Sequence, residues 1–202
     1  MNLPSLEVWL PILTFAFVTA GTPGPNNLLL TASGARFGLA RSWPHIVGIM
    51  LGVVVMVALS GMGLAQVFIR WPLVQWLLKG IGCGYLLWLA WKLLKAKNGE
   101  QALPLLDRPW RVHEALLFQG VNPKAWMMAT SAISLFVPDP SQTLEITVVI
   151  CLSFIMVNMI TGSSWVLLGQ SLRIWLQSPT NERWFNGGLA ASLVGCVLWL
   201  LV

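Results

Sequence analysis

Charge is what this 202-residue chain has least of: charged types make up 9% of it, against 56% apolar types. A soluble domain carries about 25% charged residues. With a mean hydropathy of +0.74, the deficit excludes a soluble globular enzyme and a disordered chain. Acids are the scarcer sign, with 7 Asp plus Glu against 12 Lys plus Arg. Glu7, Glu100, Asp107, Glu114, Asp139, Glu145 and Glu182 all fall in loops or at the ends of apolar runs. That leaves no carboxylate for an apolar interior. Multivalent cations, which need such ligands, are therefore disfavoured as cargo, and the obvious proton relay is missing. Cysteine is sparse too. Cys83, Cys151 and Cys196 lie inside apolar runs without a CxxC pair, so they read as small buried hydrophobes and not as a thiol relay. Two His, no HExxH and no paired acids leave no metal site, no cofactor and no catalytic constellation. A single Tyr beside 12 Trp fits a membrane-interface belt. The pI near 9.6 does not signal nucleic acid, because the basic residues cluster in short loops between apolar runs, as membrane topology dictates.

What is present is a series of charge-poor runs, each near the roughly 20 residues that a membrane helix needs. They cover residues 7–36, 41–70, about 72–94 with Lys79 near one end, about 112–137 with Lys124 inside, 145–173 and 184–202. Six spans in one membrane domain are expected. The first is too long and lacks the basic start of a removable signal peptide. The polar stretch 96–111, with Asn98, Gly99, Pro104 and Pro109, reads as a central loop between halves 1–95 and 112–202. The first, third and fifth loops carry Arg36, Arg41, Lys92, Lys95, Lys97, Arg108, Arg111, Arg173 and Arg183; the opposite side carries Arg70 and Lys79. Nine against two puts the former side in the cytoplasm and both termini outside. A re-entrant first span would move the N-terminus inside and leave the rest unchanged.

The halves repeat weakly but in order. Residues 28–33 (LLLTAS) resemble 126–131 (WMMATS), Gly63-Leu64-Ala65-Gln66 resembles Leu167-Leu168-Gly169-Gln170, and 84–89 (GYLLWL) resembles 195–200 (GCVLWL). An odd number of spans per half inverts the second half relative to the first. Inverted repeats with helices broken in matching places are a transporter pattern. The expected fold is thus all-α and integral to the membrane: six transmembrane helices in two inverted three-helix repeats, with helices one and four interrupted.

Both interruptions are written in the residues. In Gly21-Thr22-Pro23-Gly24-Pro25-Asn26-Asn27, two prolines lack amide donors and clash with the preceding turn. Freed backbone groups in hydrocarbon cost several kcal/mol each unless satisfied, so the break must face protein or a wet cavity. In Gln119-Gly120-Val121-Asn122-Pro123-Lys124, Pro123 breaks the helix and Lys124 lies about 20 Å along it from Arg111. A cation at that depth is a functional-site hypothesis, with a snorkelling lysine as the plain alternative. Lys79, near a span end, needs nothing beyond snorkelling. The two breaks should meet near the midplane. Half-helix amide ends and Lys124 suit a carboxylate, and freed carbonyls with the amides of Asn26, Asn27 and Asn122 suit an ammonium. Such a site fits a small zwitterion.

Other polar residues have plainer readings. Asn158 and Ser60 are expected to bond between helices, with Asn158 a possible site residue. His45, beside Pro44, reads as interfacial, although it or Lys124 can titrate in place of an acid. Gly48 with Gly52, and Gly80 with Gly84, are expected to let helices approach. Trp88, Trp126 and Phe136 can gate the site but read first as packing.

The paired motifs Thr22-Pro23-Gly24-Pro25-Asn26-Asn27 and Gly120-Val121-Asn122-Pro123-Lys124, with 84–91 (GYLLWLAW) between them, resemble the LysE/RhtB family of amino-acid exporters over essentially the whole chain. The first motif and the length most resemble its cysteine/O-acetylserine branch; homoserine, threonine and leucine exporters share the pattern. The resemblance implies efflux of amino acids across the bacterial inner membrane, driven by the proton gradient. It carries the family motif onto Pro23, Gly24, Pro25, Asn26, Asn27, Asn122, Pro123 and Lys124. The expected partners are an amino acid, the lipid bilayer and a proton, without nucleic acid; a homo-oligomer is compatible. The rival readings are a passive channel or facilitator for small zwitterions, and a membrane redox carrier. The distant redox relatives hold cysteines near the equivalent prolines, where this chain has none.

Overall fold

The computed structural model describes residues 5–64, 70–95, 108–137 and 139–201. Among them are seven α-helices and no strand: α1 (Leu6–Gly21), α2 (Pro25–Leu59), α3 (Pro72–Leu94), α4 (Val112–Val121), α5 (Pro123–Phe136), α6 (Thr143–Ser171) and α7 (Pro179–Leu201). Three stretches are long and apolar enough to cross a membrane: Pro25–Gly63, Pro72–Leu94 and Thr143–Ser171. Residues 96–107 of the expected central loop, and Ala65-Gln66 of the second repeat match, lie outside the described residues.

The α2 stretch is not one straight rod. Its 39 residues to Gly63 would extend ~58 Å as a continuous helix, about twice a bilayer core of ~30 Å. Gly38 resolves this with φ 76° and ψ 176°, a conformation essentially reserved for glycine. Ser33 and Ser42 then meet side chain to side chain at 2.7 Å, although nine residues of helix would separate them by ~13 Å. The chain therefore folds back at Gly38, giving segments 25–37 and 39–59. Gln170 of α6 holds the bend, accepting from the Leu39 amide at 3.0 Å. Arg36 and Arg41 flank this turn, where the charge pattern places the first basic loop.

Apolar side chains gather in two cores. One joins α1, the 39–59 segment, α5 and α6 through residues such as Ile12, Val53, Ala129 and Phe154. The other joins the 25–37 segment, α3 and α7 through Leu29, Leu86 and Leu193. Trp110 touches both. The entry to α4 is pinned by Glu114, which pairs bidentately with Arg108 at 2.6 and 2.7 Å and accepts from the Arg111 amide at 2.8 Å.

Three expectations about individual residues change. Gly48 and Gly52 do admit a neighbour: a Cβ on them would fall on Val112 and on the Gln119 side chain of α4. Gly80 and Gly84 meet nothing within 4 Å, whereas Gly82 between them lies against the Val121 carbonyl. Two steps along a helix is a rotation of about 200°, so Gly82 faces α4 and its neighbours face away. Ser60 and Asn158 bond within their own helices, donating to the Met56 carbonyl and, through Nδ2, to the Phe154 carbonyl, both at 2.8 Å. His45 is not at the protein surface. It is fully buried, its ring is 4.9 Å from that of Trp110, and neither nitrogen has a hydrogen-bond partner among the described residues. The close seat of α4 on Gly48, one turn along the same face, is what covers it. Of the aromatics, Phe136 stacks edge-on against Phe15 at 5.7 Å and Trp126 donates to the Gly120 carbonyl at 2.9 Å. Trp88 is exposed beside Tyr85 and Lys92. Lys79 sits 5.1 Å from the Trp76 ring, as suits a snorkelling lysine.

Candidate functional site

The first interruption leaves three residues outside any helix. α1 ends at Gly21, Thr22 is extended (φ −63°, ψ 143°), Gly24 is extended, and Pro25 is the first residue of α2. Proline suits that position, since its missing donor would be unsatisfied there in any case. Each proline also pushes the residue before it out of the helical region, so Thr22 and Gly24 are both held extended. Asn27 knits the break from inside: its Nδ2 donates to the carbonyls of Ala20 at 2.9 Å and Thr22 at 2.8 Å. Carbonyls that a helix end leaves orphaned are thus partly satisfied.

The second interruption is a single residue. Asn122 (φ −87°, ψ 103°) separates α4 from α5, and Pro123 opens α5. The Asn122 side-chain oxygen accepts from the Lys124 amide at 3.2 Å, an ordinary N-cap bond.

The breaks meet. The Lys124 ammonium donates to the Thr22 carbonyl at 2.7 Å, the Thr22 hydroxyl at 2.9 Å and the Pro23 carbonyl at 3.4 Å. A cation thus sits on the carbonyl end of α1, where the helix dipole favours it. Gly24 keeps the approach open, because a Cβ there would stand 2.9 Å from Lys124 Cδ. On the other side, Asn26 and Gln119 form a closed amide pair. Asn26 Nδ2 donates to Gln119 Oε1 at 2.8 Å, and Gln119 Nε2 returns to Asn26 Oδ1 at 3.2 Å. Asn122 Nδ2 also reaches Gln119 Oε1 at 3.4 Å.

Among the described residues, two cavities take their walls from both breaks. The larger, about 340 Å³, lies between Thr22, Pro23, Pro25, Asn122 and Lys124 on one side and Ser192, Gly195 and Cys196 of α7 on the other. The smaller, about 20 Å³, is walled by Asn26, Asn27, Gln119, Asn122, Lys124 and Asn158, with apolar neighbours such as Val53 and Met128. It has room for about one water-sized group.

Pro23, Gly24, Pro25, Asn26, Asn27, Asn122 and Lys124, with Asn158, therefore line the two cavities, while Pro123 opens α5 and packs toward Gly82 of α3. Sequence reasoning missed Gln119 as a member. It is fully buried and, with Lys124, ties one break to the other. Its signal was available as an uncharged polar residue inside an apolar run, three residues before Asn122. The α7 face of Ser192, Gly195 and Cys196 carried no such signal.

Comparison with known proteins gives the family. Residues 17–202 match the family described as LysE type translocator. The chain is 30% identical over 187 residues to the cysteine/O-acetylserine efflux protein of Escherichia coli (strain K12), spanning 92% of this chain and 93% of that protein. The protein of the same name from Shigella flexneri serotype 5b matches with the same figures. No solved structure matches. The motif resemblance, including its branch, is borne out, and these relatives are efflux proteins, not enzymes. Two broken helices joined through one lysine, in a chain with membrane-length apolar helices, thus have a family to sit in: the chain belongs to the LysE-type translocators, a family of membrane transporters.

Proposed function

We propose that this protein exports small amino acids of the cysteine or O-acetylserine kind from the bacterial cytoplasm across the inner membrane. The cargo class rests on the named activity of the relatives. The mechanism rests on one observation above all: the Lys124 ammonium of the second break is held by the carbonyls of the first.

A carboxylate is a better partner for an ammonium than a carbonyl is, since charge-assisted hydrogen bonds are roughly twice as strong as neutral ones. Cargo entering the larger cavity offers its carboxylate to Lys124 and releases the bonds that Lys124 makes to Thr22 and Pro23. Binding thereby loosens one tie between the halves, which is what alternating access requires. The site residues in this reading are Pro23, Gly24, Pro25, Asn26, Asn27, Asn122, Pro123 and Lys124, with Asn158 at its edge.

The six-span inverted repeat is part of the same proposal. Span one is α1 with residues 25–37, span two is 39–59, span three α3, span four α4 with α5, span five α6 and span six α7. Three contacts support it: break one touches break two, the 39–59 segment packs on α6, and α3 packs on α7. Equivalent elements pair with each other, as a two-fold axis between repeats demands. Both termini then face outward, the loop around Gly99 faces the cytoplasm, and a proton is the coupling ion. A homo-oligomer fits this arrangement as well as a monomer does.

The test is uptake of labelled cysteine and O-acetylserine into inside-out vesicles or proteoliposomes containing the protein. Saturable accumulation above the outside concentration, collapsed by a protonophore, is expected. Equilibration without accumulation, untouched by the protonophore, would identify a facilitator instead. A cysteine at Gly99 should be labelled from the cytoplasmic side and one at Asp139 from the outside; the reverse pattern would invert the topology.

A further inference from the structure

The smaller cavity has a composition that the carboxylate reading does not use. Five side-chain amides, those of Asn26, Asn27, Gln119, Asn122 and Asn158, surround a space of about 20 Å³. Such a space holds one water-sized group, and an ammonium head is of that size. Gln119 has its orientation fixed, as Asn27 and Asn158 do, by donation to a backbone carbonyl. Its Nε2 donates back to the Ala115 carbonyl at 3.0 Å, which leaves Oε1 turned toward Asn26 and Asn122. Gly52 makes the room, because a Cβ there would fall on the Gln119 side chain. Oε1 accepts from the Asn26 amide, a partner that an incoming donor can exchange.

We propose that this pocket is an ammonium subsite and that Gln119 is its specificity-determining residue, giving up Asn26 for the amino group of the cargo. The inference rests on the amino-acid export reading and deepens it. An ammonium donates three hydrogen bonds and accepts none, so it can take Gln119 Oε1 and Asn26 Oδ1 together where those two amides now satisfy each other. Lys124 and Asn122 line both cavities, so the ammonium subsite adjoins the carboxylate partner, as the two charged groups of one α-amino acid require. No acidic side chain lines either cavity among the described residues. A neutral acceptor set of this kind selects a single ammonium balanced by its own carboxylate, and it has nothing to offer a second cation on the cargo.

The experiment compares labelled L-cysteine with 3-mercaptopropionate, which keeps the thiol and carboxylate but lacks the ammonium, in proteoliposomes of the full chain. Wild-type protein should favour cysteine in kcat/KM by about ten- to a hundredfold, the worth of one charge-assisted bond. Gln119→Met keeps the length and removes the acceptor; the preference should fall to within about threefold of unity, mainly by a rise in KM for cysteine. Gln119→Glu keeps an acceptor oxygen and should hold the preference at or above the wild-type value. Undiminished preference in Gln119→Met overturns the assignment. So does a preference that collapses in Gln119→Glu, since packing alone would then explain both. If Gln119→Met fails to insert, the Glu variant decides by itself. Wild-type vesicles that take up neither compound would overturn the export reading beneath this one, which separates the two failures.

Discussion

The two interruptions do the same thing to a helix by unequal means. The first spreads it over Thr22, Pro23 and Gly24 and uses two prolines; the second uses Asn122 and one proline. The first presents oxygens, the second presents a cation. Two carbonyl-rich breaks facing each other would repel. The unlike chemistry of the two breaks lets one serve as the acceptor for the other. The glycines around the breaks are also packed unequally. Gly82 lies directly on the Val121 carbonyl, whereas a Cβ at Gly21 would find only an ordinary contact, 3.8 Å from Thr161.

The largest expected effect comes from removing the cation and keeping its stem. Lys124→Met should abolish saturable transport at normal expression, since the lost charge-assisted bond alone contributes about 1.5–3 kcal/mol. Lys124→Arg should keep a fraction, because guanidinium retains charge but not the compact ammonium. Full transport by the Met variant with unchanged apparent affinity would return Lys124 to the snorkelling class of Lys79.

The prolines sharpen the comparison next. Pro123→Ala removes the one constraint that keeps Asn122 extended, so α4 and α5 can merge and the N-cap bond to Lys124 is lost. A cap is worth about 1 kcal/mol, and transport should drop about fivefold or more. Pro25→Ala leaves Pro23 holding Thr22, so its cost should be several-fold smaller; only the Pro23→Ala/Pro25→Ala double variant should match Pro123→Ala. Equal initial rates for Pro25→Ala and Pro123→Ala would erase the asymmetry.

Packing around the breaks gives a stability readout. Gly82→Ala should destabilise the protein by about 1–3 kcal/mol, the usual range for overpacking, while Gly21→Ala, with space available and better helix propensity, should be neutral or slightly stabilising. Thermal unfolding in detergent would show both, and a lower midpoint for Gly21→Ala than for Gly82→Ala would contradict the picture. The smallest effect belongs to the turn beyond α5. The Ser141 amide donates to Asp139 at 2.9 Å and holds its carboxyl below the ordinary value. Its contribution is therefore present above the unfolded carboxyl range and lost as pH falls through the lower folded value. Asp139→Asn should leave transport within about twofold of wild type and remove only that acid-range change in the turn.

How much of this was legible in the sequence depends on the kind of force involved. Proline and asparagine act on their own backbone, so both breaks and the lysine between them can be read from residue types. Charge-free runs and the paired arginines at 36 and 41 locate the fold-back at Gly38 to within a few residues. Facing is harder. Gly80, Gly82 and Gly84 are equivalent as letters, and only the rotation of α3 against α4 decides that Gly82 carries the contact. His45 looks interfacial beside Pro44, until the seat of α4 on Gly48 covers it. Gln119 is a single polar residue among apolar ones; its partner, Asn26, is 93 positions away, and no local pattern announces such a pair.

The scarcity of acids around the site has an electrical consequence. Among the described residues walling the two cavities, Lys124 is the one with a formal charge. A zwitterionic cargo brings equal and opposite charges, so the loaded site carries the same net charge as the empty one. A membrane potential exerts about 2.3 kcal/mol per elementary charge per 100 mV, but it finds no net charge on such a passenger. Voltage can then drive turnover of such a cargo only through the lysine itself or through a co-transported ion. A potassium diffusion potential imposed across proteoliposomes at constant pH, with cargo varied between neutral and cationic amino acids, reads that division of labour directly.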